Sequence, residues 1–287
     1  MLRLNNFFHL ILIFLLLVST SCTPQSEDLQ PTLTLPPTVI SSDTPLSYWV
    51  PSPSDSLQWQ FSDYPVDLSI DADIFSIDLF ETPQEIIDSL HEAGRRVICY
   101  INVGAWEEYR PDAEAFPDTV VGKKYIGWEG ERWLNISNYQ DFSGLISTRF
   151  DLAASKGCDG IEPDNINGFQ QDTGFSITAE DQLAYNIWLS EQAHLRGLSI
   201  GIKNDNEQVA DLVDHFDFAL IEDCAVYDEC ADFLPFIEQG KAVFQVEYTD
   251  ELNSTIDFCS TAIANGYSGI FKNRELDAWI KPCTSNQ

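Results

Sequence analysis

The stretch Gly157-Cys158-Asp159-Gly160-Ile161-Glu162-Pro163-Asp164-Asn165 gathers Asp159, Glu162 and Asp164 at the end of a short apolar-centred run. Residues 142–156 before it have helical spacing, so the run reads as a strand that follows a helix and leaves the core at an acidic end. Glu162 and Asp164 are two apart, which on an extended chain turns both to one side. Pro163 between them has no N–H to give a ladder, which suits a strand terminus. In a barrel of alternating strands and helices, the C-terminal end of a strand faces the active-site mouth. The same residues also admit a plainer reading, a turn in which Asp and Asn bind their own backbone.

The pattern recurs in both directions. Strands are expected at 57–61, 73–80 and 97–103 before the quoted stretch, and at 198–202, 216–221, 242–246 and 269–271 after it. The later ones end in Lys203-Asn204-Asp205, Glu222-Asp223, Glu247-Tyr248 and Lys272-Asn273. Pro83 opens a helix with Ile86, Ile87, Leu90 and Ala93 on one face, and Gly94 closes it. Thr178 with Asp181 three residues on marks the start of another, which runs to Gly197. Residues 208–215 and 254–264 also carry helical spacing. Eight strands alternating with helices, and no Gly-rich phosphate loop, favour an α/β fold of one domain: a closed parallel (β/α)8 TIM barrel rather than an open doubly wound sheet. Between the third strand and the next helix, residues 104–112 and a long excursion through Trp128 and Trp133 read as a loop of a length that is usually functional or disordered.

The N-terminus is organised differently. Arg3 precedes an apolar run at 7–18 that is short for a bilayer span but fits a signal peptide. Ser19-Thr20-Ser21-Cys22 then resembles a lipoprotein cleavage box, with Ser19 where Leu is usual. Residues 1–22 are therefore expected to be a signal peptide ending at a lipidated Cys22, or else to be removed by ordinary cleavage. Residues 23–45, rich in Pro, Ser and Thr, read as an extended tether, and 46–287 as the folded domain. The expected location is outside the cytoplasm, as a cell-surface lipoprotein or a secreted protein, touching a membrane only through such an anchor.

With 46 acidic against 15 basic residues and a formal charge of -31, the chain is a poor partner for nucleic acid or an anionic membrane surface. A cationic or neutral substrate stays open. Seven cysteines are present, and setting Cys22 aside leaves six, an even number that in an exported chain implies disulfides with 15 formal connectivities. Cys224 with Cys230 and Cys99 with Cys158 are the pairings expected. No spacing resembles a zinc site, and the folded part holds only His91, His194 and His215, so neither a metal nor another cofactor is expected.

If the barrel is right, one rim collects Asp78, Tyr100, Asn102, Glu162, Asp164, Asn165, Lys203, Asn204, Asp205, Glu222, Glu247, Tyr248 and Lys272. No His or Cys is placed for a nucleophilic triad. Two carboxylates with aromatic neighbours are instead what glycosidic cleavage requires: one protonates the departing oxygen, the other attacks the anomeric carbon or activates water. Trp106, Tyr109, Trp128 and Trp133 on the loops could stack on sugar faces.

Residues 98–112, Gly130-Glu131-Arg132-Trp133-Leu134-Asn135-Ile136, 157–165 with Gly168-Phe169, 198–205, and Glu222 with Cys224, Tyr227 and Cys230 resemble, in this order, the endo-α-1,4-polygalactosaminidases of glycoside hydrolase family 114. The chain departs from that pattern at Glu162 and Asn135, where the family often has Asp. The resemblance implies a (β/α)8 barrel that hydrolyses α-1,4-linked galactosamine polymers. It also implies a catalytic pair at Asp164 and Glu222, with Asp164 as nucleophile or base and Glu222 as general acid, or the reverse. On that reading the partner is an amino-sugar polysaccharide. Asp78, Glu162 and Glu247 become candidates for amine or hydroxyl contacts, Lys203 for holding a carboxylate's charge, and Tyr100, Asn102, Trp106, Asn165, Asp205 and Tyr248 for the remaining substrate contacts. Two alternatives stand beside it: a non-catalytic glycan-binding surface protein, and a barrel hydrolase of a different glycan.

Overall fold

The computed structural model describes residues 48–251 and 257–284. The signal segment, Cys22, the tether and the start of the helix expected at 254 lie outside the described residues. The chain forms β1 (Leu57–Gln60), β2 (Ile74–Asp78), α1 (Gln84–Glu92) and β3 (Arg96–Asn102), then a three-stranded excursion of β4 (Ala105–Glu107), β5 (Val121–Lys124) and β6 (Glu131–Leu134). It continues through α2 (Ser143–Lys156), β7 (Gly160–Asp164), α3 (Ala179–His194), β8 (Ser199–Lys203), α4 (Val209–Leu212), β9 (Phe218–Glu222), α5 (Cys224–Tyr227) and α6 (Leu234–Glu238). β10 (Ala242–Tyr248), α7 (Phe258–Asn265), β11 (Ser268–Lys272) and β12 (Ile280–Pro282) complete it.

Eight strands run parallel in the order β1-β2-β3-β7-β8-β9-β10-β11, and β12 adds antiparallel to β11. Phe61 and Ser62 donate backbone hydrogen bonds to the Leu276 carbonyl at 2.9 and 3.1 Å, bringing the chain after β11 across the gap beside β1. The result is a (β/α)8-type TIM barrel. Its strands are buried on both faces, β10 along its whole length, which is why they read as nearly unbroken apolar runs. Trp59, Ile74, Ile98, Phe218 and Phe244 belong to one core cluster made of strand residues, while a larger cluster joins the alternate strand residues to the helices.

Most expected elements are present. Thr178 forms a complete capping box with Asp181, and Gly94 and Gly157 take the positive φ that their helix ends require. The segment expected to be helical at 208–215 is reduced to the single turn of α4. The sheet β4-β6-β5 and the strand β12 had no counterpart in the sequence reading. Cys99–Cys158 and Cys224–Cys230 are paired as expected, and Cys259–Cys283 is the third disulfide.

Candidate active site

The C-terminal ends of β3, β7, β8, β9 and β10 and the outer sheet border a cavity of about 630 Å³. At its floor lies the Lys203 ammonium, 2.9 Å from Glu222 Oε2, 3.1 Å from Asp164 Oδ1 and 3.4 Å from Glu162 Oε1. Burial works against a charge on Lys203, but Asp164, Glu222 and Glu162 together outweigh it and hold the amine well above its ordinary range. Asp164 accepts further hydrogen bonds from the Tyr100 hydroxyl at 3.0 Å and the Asn165 amide at 3.3 Å. Glu222 accepts from the Tyr248 hydroxyl and, at 3.4 Å, from the Asn204 amide. Burial alone would raise Glu222; the Lys203 charge and the Tyr248 and Asn204 donors reverse that and keep its carboxyl below its usual range.

Local sequence explains this convergence. Asn165, Asn204 with Asp205, and Asp223 directly follow β7, β8 and β9, and all four adopt left-handed φ between 53° and 63°. Asn and Asp tolerate that region better than other non-glycine residues, so each strand turns sharply at the mouth. Gly104 opposite is needed because a Cβ there would lie 1.7 Å from the Asn165 carbonyl oxygen. Pairing of β7 with β8 ends at Ile161 and Ile200, short of Pro163.

Of the residues expected at the site, Asp164, Glu222, Tyr100, Asn165, Lys203 and Tyr248 line the cavity together. Asp78 also lines it, but its carboxylate is taken by a two-pronged bond from Arg110 (2.6 and 3.0 Å) and by the backbone N–H groups of Phe80 and Glu81. Glu162 is a correction: although turned to the same side as Asp164, it lies one step deeper, is 1 % exposed, and accepts from Ser76 and Trp59. Burial pushes its carboxyl up to about 7 against the pull of Lys203.

Asn102, Asp205 and Glu247 are fully buried and outside the cavity lining. Asn102 caps the backbone N–H of Ala105, Asp205 accepts from Asn186, and Glu247 accepts from Gln245 and the N–H of Ala225. Trp106 spends its indole N–H on the Ala113 carbonyl away from the cavity, whereas Tyr109, Trp128 and Trp133 do line it. Lys272 is buried against Gln58 and the Asp277 carbonyl, and Asp159 binds Arg96 and His91 at the entry of β7, not its exit. The common reason is depth: strand-end position selects a face but not how far up the barrel a side chain stands.

Sequence reasoning missed Glu131, Tyr125 and Arg110 as cavity residues, because it treated 104–134 as loop. The outer sheet is what brings them in. It is anchored by Arg110 to Asp78 and Glu107, and by Arg149 of α2 to Asp112 at 2.8 and 2.9 Å and to the Asn102 carbonyl at 2.7 Å. On β6 the alternation of a strand turns Glu131 and Trp133 toward the cavity and Arg132 outward. Among the described residues, the grouping with ligand atoms close enough for a metal is Cys224, Cys230 and Glu247, and its two sulfurs are joined in a disulfide.

A cleft at the C-terminal mouth of a barrel with two ionisable carboxylates on β7 and β9, either side of β8, is suited to glycosidic cleavage. The family model of glycoside-hydrolase family GH114 matches residues 40–287. Among solved structures, the crystal structure of Aspergillus fumigatus Ega3 in complex with galactosamine is similar over 82 % of this chain and 97 % of that one, at 34 % identity and a TM-score of 0.77. The glycoside hydrolase domain of PelA from Pseudomonas aeruginosa covers 79 % of this chain and 97 % of its own at 14 % identity and a TM-score of 0.60, a likeness of fold. No curated protein matches the chain. The match over nearly the whole folded part, with the barrel and its acidic mouth, makes this chain a member of glycoside-hydrolase family GH114 and a glycoside hydrolase.

Proposed function

We propose that the protein is an exported hydrolase of α-1,4-linked galactosamine-type polysaccharide that works through Asp164 and Glu222. The observation that carries this is the pair of carboxylates held 3.1 and 2.9 Å from one buried ammonium in an open cavity. The similarity to Ega3, a protein crystallised with galactosamine, supports the substrate class. A deacetylated galactosamine chain is polycationic, and a cleft lined by Glu131, Asp164, Glu222 and Asp223 attracts it. Sharing one ammonium puts the nearest oxygens of Asp164 and Glu222 no more than about 6 Å apart, which is compatible with the roughly 5–5.5 Å spacing of retaining enzymes. One carboxylate then attacks the anomeric carbon while the other gives its proton to the departing oxygen. In the second step the latter takes a proton from water, the water oxygen replaces the ester oxygen, and both groups return to their starting state.

Two divisions of labour fit. The first, expected from the sequence, makes Glu222 the proton donor and Asp164 the nucleophile. The donors that hold Glu222 as a carboxylate favour it as nucleophile, since as acid it must first take up a proton when substrate displaces part of that set. Azide separates them: it rescues the alanine variant of the acid–base residue with retained configuration and that of the nucleophile with inverted configuration. Export is supported by the signal-like residues 1–22 and by three disulfides, which persist in oxidising compartments. Lipidation of Cys22 is tested by whether Cys22→Ser moves the protein from the membrane to the soluble fraction. For the activity, reducing-end release from partly deacetylated polygalactosamine is expected from the parent and to fall about 100-fold or more in Asp164→Asn and in Glu222→Gln. Binding without cleavage would indicate a glycan-binding protein, and cleavage of a neutral glycan alone a different substrate.

A further inference from the structure

Glu131 differs from Asp78, Glu107, Asp164, Glu222 and Asp223 of the cleft in what surrounds it. Asp78 and Glu107 share Arg110; Asp164 and Glu222 share Lys203; Asp223 faces Arg274 at 3.4 Å. Glu131 is only 7 % exposed, yet among the described residues no Lys, Arg or His lies within ion-pairing distance of it. Its oxygens accept neutral hydrogen bonds alone, from the Tyr109 hydroxyl at 2.9 Å and the Asn102 amide at 3.2 Å. Burial and the neighbouring Glu107 and Asp164 carboxylates push its carboxyl up to about 7. Trp133, two residues along the same strand, lines the cavity on the same side, and the Tyr125 ring packs edge-on against it at 4.6 Å. A buried carboxylate lacking a counter-cation, flanked by aromatic rings and open to a cleft, is matched by a cationic ligand group. The acidic residues first expected to take the amine do not compete: Asp78 is bound to Arg110, while Glu162 and Glu247 are outside the lining.

We propose that Glu131 receives the ammonium group of the sugar bound on the Asp164 side of the cleft and sets the enzyme's preference for deacetylated over N-acetylated residues. The assignment rests on the amino-sugar reading above. An acetamido group in the same place is neutral and leaves the carboxylate without its partner. The test measures kcat/KM on polygalactosamine of graded acetylation for the parent, Glu131→Gln and Glu131→Asp, with thermal midpoints alongside. The parent should slow as acetylation rises. Glu131→Gln should lose about 10- to 100-fold on the deacetylated polymer, the scale of a hydrogen bond to a charged group, and its dependence on acetylation should flatten. Glu131→Asp, which keeps the charge, should retain part of the slope and serves as the second variant if Glu131→Gln does not fold. An undiminished slope in Glu131→Gln, or an equal loss at every degree of acetylation, overturns the assignment while leaving the substrate intact. A parent inactive on every such polymer overturns the substrate reading and the assignment with it.

Discussion

Replacing Lys203 by Met tests the electrostatic frame of the site. The ammonium lies about 3 Å from three carboxylates, and at an effective dielectric of about 20 each such pair contributes roughly 5 kcal/mol. Most of that offsets desolvation, so the net loss on removing one partner of a buried set is about 3–5 kcal/mol. The loss depends on pH. In the parent, Glu222 is held below its ordinary pKa and contributes stability above about pH 4 that disappears as the pH falls. Without Lys203, burial acts unopposed by that charge on Glu162 and Glu222, which must take up protons on folding, and this costs stability as the pH rises through and above the ordinary carboxylate range. Parent and Lys203→Met should therefore be nearly equal in stability at about pH 4 and differ by about 3–5 kcal/mol at about pH 7–8. Urea unfolding at five pH values between these limits measures the gap. A gap that is constant across the range, or that narrows toward pH 8, would falsify the view that this ammonium neutralises the cluster.

Tyr248→Phe removes a donor that holds Glu222 ionised, so the limb of the kcat/KM profile governed by Glu222 should move up by about 0.5–1 pH unit; an unshifted profile would show that the hydroxyl does not tune the carboxyl. Asp205, raised by burial from 3.8 to about 8, takes up a proton on folding and costs stability as the pH rises through that window. Asp205→Asn keeps the acceptor for Asn186 and tolerates the left-handed backbone, so by denaturant melts it should stabilise by about 1–3 kcal/mol at pH 8 and hardly at all near pH 4; equal effects at both would refute the cause. Removing Cys99–Cys158, which spans 59 residues, should cost about 4 kcal/mol against about 2 kcal/mol for Cys224–Cys230, which spans 6. Paired serine variants measured by the same melts give the order, and the opposite order would show that loop entropy does not dominate.

The sequence alone determined the barrel, its strand order and the rim on which Asp164, Lys203, Glu222 and Tyr248 meet. That information is local: apolar runs set strands, their alternation with helices forces parallel pairing, and the residue at a strand's exit faces the mouth. It also determined two of the disulfides and, through linked motifs, the family. Tertiary structure alone decided which polar strand-end residues reach the cavity. Glu162 and Asp164 share a face by their spacing, yet one is sealed beneath Trp59 and Ser76 and the other opens to the cleft, because height within a closed barrel depends on strand tilt and on what packs above. Glu131 could be placed only by the folding of β4, β5 and β6 into a sheet, held by the Arg110 and Arg149 ion pairs between residues up to 42 apart. Pairing of that range leaves no periodic trace in the chain, since it is set by which charges become buried together.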